Sequence, residues 1–226
     1  MACQGALLLT YNSSMRSFKR ANTFWLGIAI QFAKDADSHR YHTKNATPER
    51  RNMLKRLWWC CLLRDRILPL GLRRPLYISA SDFDCTVSPL KKEDFINEIG
   101  KSKVYNVPTK HSLIELFIML CDLAASLTDV IVVIYPLQEP YERRSSDIDE
   151  TEQAIHQVET CRAGLNRWFE KATLYFPTLA GLTDAHKSVV LYTNLMYMYY
   201  QYVWSFSSSV IFCHPQDSLT LQVLQS

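Results

Sequence analysis

Residues 50–75, RRNMLKRLWWCCLLRDRILPLGLRRP, decide how this chain folds. The run follows Thr47-Pro48-Glu49. Threonine suits an N-cap, proline the first helical position, and glutamate the positive end of the helix dipole. The predicted helix ends near Leu70, where Gly71 is placed to take a left-handed conformation. Inside it, Trp58, Cys61, Asp65 and Leu68 lie three or four residues apart and share one face. Asp65 therefore sits in an apolar stripe, and a carboxylate there needs charge-assisted partners. Arg64 and Arg66 flank it but project about 100° to either side. The turn after the helix delivers Arg73 and Arg74 instead. The sequence thus predicts a structural latch in which Asp65 pairs with Arg73 or Arg74, tying the helix to its exit. Orphaning that charge by Asp65→Asn is expected to cost a few kcal/mol. The stretch reads as scaffold, and no reaction centre has this composition.

The same helix concentrates positive charge. Arg50, Arg51, Lys55, Arg56, Arg64, Arg66, Arg73 and Arg74 face only Glu49 and Asp65 between residues 49 and 74. A basic stripe can track phosphates, which marks Arg50, Arg51, Lys55 and Arg56 as a basic contact surface. Against this, Trp58, Trp59 and Leu62 leave little of the helix free to enter a groove. The formal net charge of +3 over 226 residues does not imply nucleic-acid binding by the whole chain.

Outward from this helix the chain reads as all-α, a multi-helix domain over residues 1–206 followed by a fraying tail at 207–226. Six glycines and long apolar segments without turn clusters argue against a sandwich or barrel. One helix is predicted from Ser17 to Lys34, with Phe18, Trp25, Ile28, Ala29 and Phe32 as its apolar pattern. Others span Thr109–Tyr135, Asp147–Tyr175 and Thr183 to about Phe206, with a short helix at Lys91–Ile99. The last long helix is rich in tyrosine and methionine and reads as deeply packed, or as the wall of a ligand pocket.

Other chemistry is thin. Seven cysteines lack any CxxC spacing, so no zinc site is written here and reduced thiols are expected. His39 and His42 read as exposed histidines near a helix end. Asp82-Phe83-Asp84 reads as turn chemistry. GxSxG, P-loop and GxGxxG motifs do not occur. Leu113–Leu137 is the one candidate membrane segment. Its acids Glu115, Asp122 and Asp129 recur every seven residues along one face, as in an amphipathic core helix.

The run from Trp25 to Arg40, WLGIAIQFAKDADSHR, together with Glu49-Arg50-Arg51, Leu57-Trp58-Trp59, Arg64-Asp65-Arg66 and the exit Gly71-Leu72-Arg73-Arg74-Pro75, resembles the regulatory middle region of fungal-specific transcription factors. It is most similar to the branch of cutinase-gene regulators, and the resemblance is specific over residues 23–95. It implies a nuclear regulator of transcription whose helical region holds the transcription machinery, another regulator or a small-molecule effector. DNA would be contacted only indirectly or weakly, with no membrane partner and no catalysis. Family members carry an N-terminal zinc binuclear cluster, and zinc is expected only there. With no such cluster written in this sequence, the chain is expected to be a fragment, a truncated gene model or a regulator without its own DNA reader. Two other readings stay open. One is a prenyl-diphosphate cyclase-like enzyme using Asp147, Asp149 and Glu150; the other is a membrane-associated helical protein resting on Leu113–Leu137.

Overall fold

The computed structural model describes residues 1–11, 18–42, 46–79, 82–83, 88–134, 148–177 and 185–212. These residues form six α-helices and two 3-10 turns, with no strand among them. The helices are α1 (Ala2–Leu9), α2 (Phe18–Asp35), α3 (Pro48–Leu72), α4 (Val107–Ile134), α5 (Ile148–Tyr175) and α6 (Lys187–Phe212). The 3-10 turns are Ser38–Arg40 and Lys92–Phe95.

Helix α3 begins as its local chemistry dictates. Thr47 Oγ1 accepts the Arg50 N–H at 3.4 Å, and Pro48 occupies the first turn. It runs two residues beyond the expected end. Arg73, with φ of 49°, takes the left-handed cap and donates its N–H to Pro69 O at 2.8 Å, while Gly71 stays helical. Pro69 is tolerated inside α3 because it falls in the last turn, where its missing N–H costs a single helical bond.

Two groups of helices meet along α3 and α4. Helix α1 packs on α2, and α2 on α3. In α2 the buried line is Asn22, Leu26, Ala29, Ile30 and Ala33. This face is turned from the predicted one: Phe32 is exposed and Trp25 only half-buried. Small alanines at 29 and 33 let α2 approach its neighbours closely, so packing overrides the pull of the larger aromatics. In the second group, α4 contributes Leu116, Leu123, Leu127 and Ile131, α5 contributes Leu165, Trp168 and Ala172, and α6 contributes Met196, Tyr200 and Val203. Trp168 Nε1 donates to Met119 O at 3.0 Å, pinning α5 to α4. Tyr200 stacks between Phe169 and Trp204, with ring centroids at 4.7 and 6.0 Å.

Helix α6 departs from the expectation of deep packing. Leu191, Tyr192, Met198 and Tyr202 are exposed while Thr193, Met196, Tyr200 and Val203 are buried. One face meets α4 and α5, and the other meets no described helix to the same extent. The helix also continues to Phe212, past the predicted start of the tail; residues 213–226 lie outside the described residues. Helix α1 was not legible beforehand. It is held in place by long-range contacts set out below.

The polar stripe of α4 makes ion pairs at the surface. Glu115 pairs with Lys92, and Asp122 accepts Lys171 Nζ at 2.6 Å. Among the described residues, no helix is long and apolar enough to cross a membrane.

Candidate functional site

Arg64-Asp65-Arg66 forms a three-way junction, and each side chain goes to a different part of the molecule. Arg64 reaches α1. Its Nε donates to Thr10 Oγ1 at 2.9 Å and its Nη2 to Thr10 O at 2.6 Å. Its guanidinium also lies 3.9 Å from the centroid of the Tyr11 ring. Thr10 in turn donates its hydroxyl to Leu7 O at 2.6 Å. An eight-residue helix is marginal in isolation, and this cation satisfies carbonyl and hydroxyl groups at its negative end.

Asp65 holds the exit from α3. Its carboxylate accepts the backbone N–H of Tyr77 at 3.1 Å and of Ile78 at 2.9 Å. It also accepts Arg66 Nη1 at 2.7 Å and Arg74 Nη2 at 3.4 Å. Arg74 further donates to Pro75 O at 2.8 Å and lies over the Tyr77 ring at 4.3 Å. The Asp65 and Arg66 side chains are both 0% exposed. Arg66 continues into α4, donating from Nε to Thr128 Oγ1 at 2.9 Å. A buried carboxylate thus collects two backbone donors and two guanidinium contacts, and its nearest countercharge is itself anchored to the second group of helices.

Beside the expected choice of Arg73 or Arg74, the structure places Arg74 and adds Arg66. Arg66 is the closer partner, because its long side chain curls back across the angle that separates neighbouring helical positions. Of the two exit arginines, Arg74 makes the contact with Asp65, while Arg73 supplies the left-handed cap. Sequence reasoning also missed the backbone amides of Tyr77 and Ile78. A carboxylate facing the N–H groups of an extended segment leaves no signature in residue identity.

Aromatic packing covers the middle of α3. Phe83 inserts among Trp58, Trp59 and Tyr41, with centroid distances of 5.6, 6.1 and 6.1 Å. Trp59 Nε1 donates to Tyr41 Oη at 3.3 Å, and that hydroxyl donates to Ser88 O at 2.8 Å. Asp82 makes a turn with Ser79. Its carboxylate accepts both the Ser79 N–H and hydroxyl, which hold it below its ordinary carboxylate range. Asp84 lies outside the described residues. His39 is not a free helix-end cation: it lies 5.6 Å from Trp58, and loss of solvent pulls its imidazole pKa down.

The four residues of the expected basic surface separate into two pairs. Arg50 and Arg51 are exposed. Lys55 is buried and pairs with Asp94 at 2.7 Å, while Arg56 pairs with Glu98 at 3.1 Å and reaches Asp94 O. Lys55 and Arg56 therefore anchor the Lys92–Phe95 turn and its flank, and neither belongs to an open basic face with Arg50 and Arg51. Their acids lie some forty residues away in sequence, which is why the pairing was not legible. Beside them a groove of about 570 Å³ is lined by Leu7, Leu57, Cys60, Phe95 and Phe117, with Arg56 and Glu98 among its polar residues.

Among the described residues, no group of three or more His, Cys, Asp or Glu side chains is arranged to hold a metal ion. Of the acids considered for a cyclase, Asp147 lies outside the described residues, and Asp149 and Glu150 fall in the first turn of α5.

The six helices among the described residues form a scaffold organised by buried charge and aromatic packing. The sequence matches the fungal specific transcription factor domain over residues 2–170, and the chain belongs to that family. It is 33% identical over 122 residues to cutinase transcription factor 1 beta of Fusarium vanettenii, covering 54% of this chain and 14% of that protein. It is 30% identical over 155 residues to the acetamidase regulatory protein of Aspergillus oryzae, covering 67% of this chain and 18% of that protein. The chain thus spans less than a fifth of either relative. No solved structure matches it.

Proposed function

We propose that this chain is the regulatory part of a nuclear fungal transcription factor. It acts by engaging partner proteins or a small-molecule effector, carries out no catalysis, and needs no cofactor of its own. Membership of the family supports the regulatory role. The observation that carries the division of labour is the commitment of Lys55 and Arg56 to Asp94 and Glu98. Only Arg50 and Arg51 of that cluster then remain for phosphates, too few to find a DNA site unaided.

Two surfaces favour partner or effector binding. The exposed apolar residues Leu191, Met198 and Tyr202 of α6 offer a protein-docking face. The groove between α1, α3 and α4 has the volume of an ordinary small-molecule site.

The test is binding of this chain to duplex DNA over a range of salt. Weak, sequence-indifferent affinity is expected, with a slope of log K against log salt no steeper than about −2, for two phosphate contacts. Arg50→Ala with Arg51→Ala should abolish most of it while shifting stability by no more than about 0.5 kcal/mol. Tight, sequence-specific binding would overturn the reading.

A further inference from the structure

Cys3 at the start of α1 and Cys61 in the middle of α3 are 58 residues apart in sequence, yet their Sγ atoms lie 3.8 Å apart. Both are buried, in the seam where α1 meets α2 and α3. Nothing in the regulatory reading above uses this contact. A disulfide needs about 2.05 Å between sulfurs, so closure requires an approach of just under about 2 Å. A short helix whose far end is held by Arg64 can make that movement, pivoting about Thr10. Cys60 lies next to Cys61 but projects about 100° away along α3, towards the groove that it lines.

We propose that Cys3 and Cys61 are a reversible oxidation site, which a peroxide converts to a disulfide that clamps α1 to α3. The two thiols differ in the way the reaction needs. The hydrogen bond between the two sulfurs lowers the Cys3 pKa and raises that of Cys61, while the Cys3 thiol also donates to Ala29 O at 3.2 Å. Cys3, the more exposed of the two and placed at the start of α1, is the attacking thiol, with its lowered pKa in support, and Cys61 is the resolving thiol. Cys60 is pushed up to about 12 by burial and is a poor competitor. The Cys3 sulfur attacks the peroxide O–O bond, forming an S–O bond and releasing hydroxide, which leaves as water. The Cys61 sulfur then attacks the Cys3 sulfur, the S–O bond breaks, and the second oxygen leaves as water with the remaining proton. Two thiols lose two electrons and two protons, and hydrogen peroxide is reduced to two waters. In a reducing compartment such a bond is transient and signals oxidation, with thiol exchange restoring the open form.

The test treats the purified chain with hydrogen peroxide, quenches free thiols, and maps disulfides by mass spectrometry without reduction. A peptide joining Cys3 to Cys61 is expected. It should appear with a rise in Tm of roughly 5–10 °C from the long loop closed, and dithiothreitol should reverse both. Cys3→Ser, at a helix end, should abolish the crosslink and the Tm rise, and Cys60→Ser should leave both intact. A crosslink from Cys3 to Cys60, or oxidation of Cys3 and Cys61 without joining, would overturn the proposal.

Discussion

The helices on either side of the α3–α4 boundary are held by different physics. On one side, α1, the exit of α3 and the Lys92–Phe95 turn are each fixed by a few buried polar contacts: Arg64 on Thr10, Asp65 on Tyr77 and Ile78, Lys55 on Asp94. On the other, α4, α5 and α6 meet through a broad apolar core of Leu116, Leu127, Trp168, Met196 and Tyr200, to which polar contacts such as Trp168 Nε1 to Met119 O are added. Buried charges tolerate almost no exchange, because removing one partner strands the other. Apolar cores accept substitutions that keep volume. The polar side demands particular residues at particular positions, while the apolar side demands only shape.

Substitutions can break or sharpen this contrast. The largest effect is expected for Asp65→Asn, which leaves the Arg66 guanidinium buried without its countercharge. A loss of about 3–5 kcal/mol in denaturant unfolding is predicted. On the apolar side, Leu127→Ala should cost about 2–5 kcal/mol, whereas Leu127→Met should stay below about 1.5 kcal/mol. If Leu127→Met were as damaging as Asp65→Asn, the contrast would fail. A smaller and more local effect belongs to Arg64→Met. It should cost about 1–3 kcal/mol, and amide exchange should accelerate in residues 2–9 while α5 is unaffected.

Much of this was legible in the sequence. The Thr47-Pro48-Glu49 start of α3 followed from its cap and proline, and the approximate spans of α4 and α5 from periodicity, all of which are local. The need for a partner at Asp65 was also local, since it follows from a carboxylate in an apolar stripe. Identifying that partner required three-dimensional information. Projection angle turns Arg66 away from Asp65, yet an arginine side chain is long enough to curl back to it. The amides of Tyr77 and Ile78 have no side-chain signature. Helix α1 was hidden for a related reason: eight residues carry too little periodicity, and it is held by packing on α2 and by Arg64, more than fifty positions away. The face of α2 was misplaced because its aromatics outweighed alanines that pack more closely. Lys55 and Arg56 looked like free charge because Asp94 and Glu98 belong to a later segment.

The central claim is that Asp65 and Arg66 act as one buried unit joining the exit of α3 to α4. A double-mutant cycle of Asp65→Asn and Arg66→Met, read by denaturant unfolding, tests it most directly. The two single substitutions should each cost several kcal/mol, and the double variant should be less damaging than their sum by about 2 kcal/mol or more. Additivity to within about 0.5 kcal/mol would contradict the account, since the two side chains would then act independently.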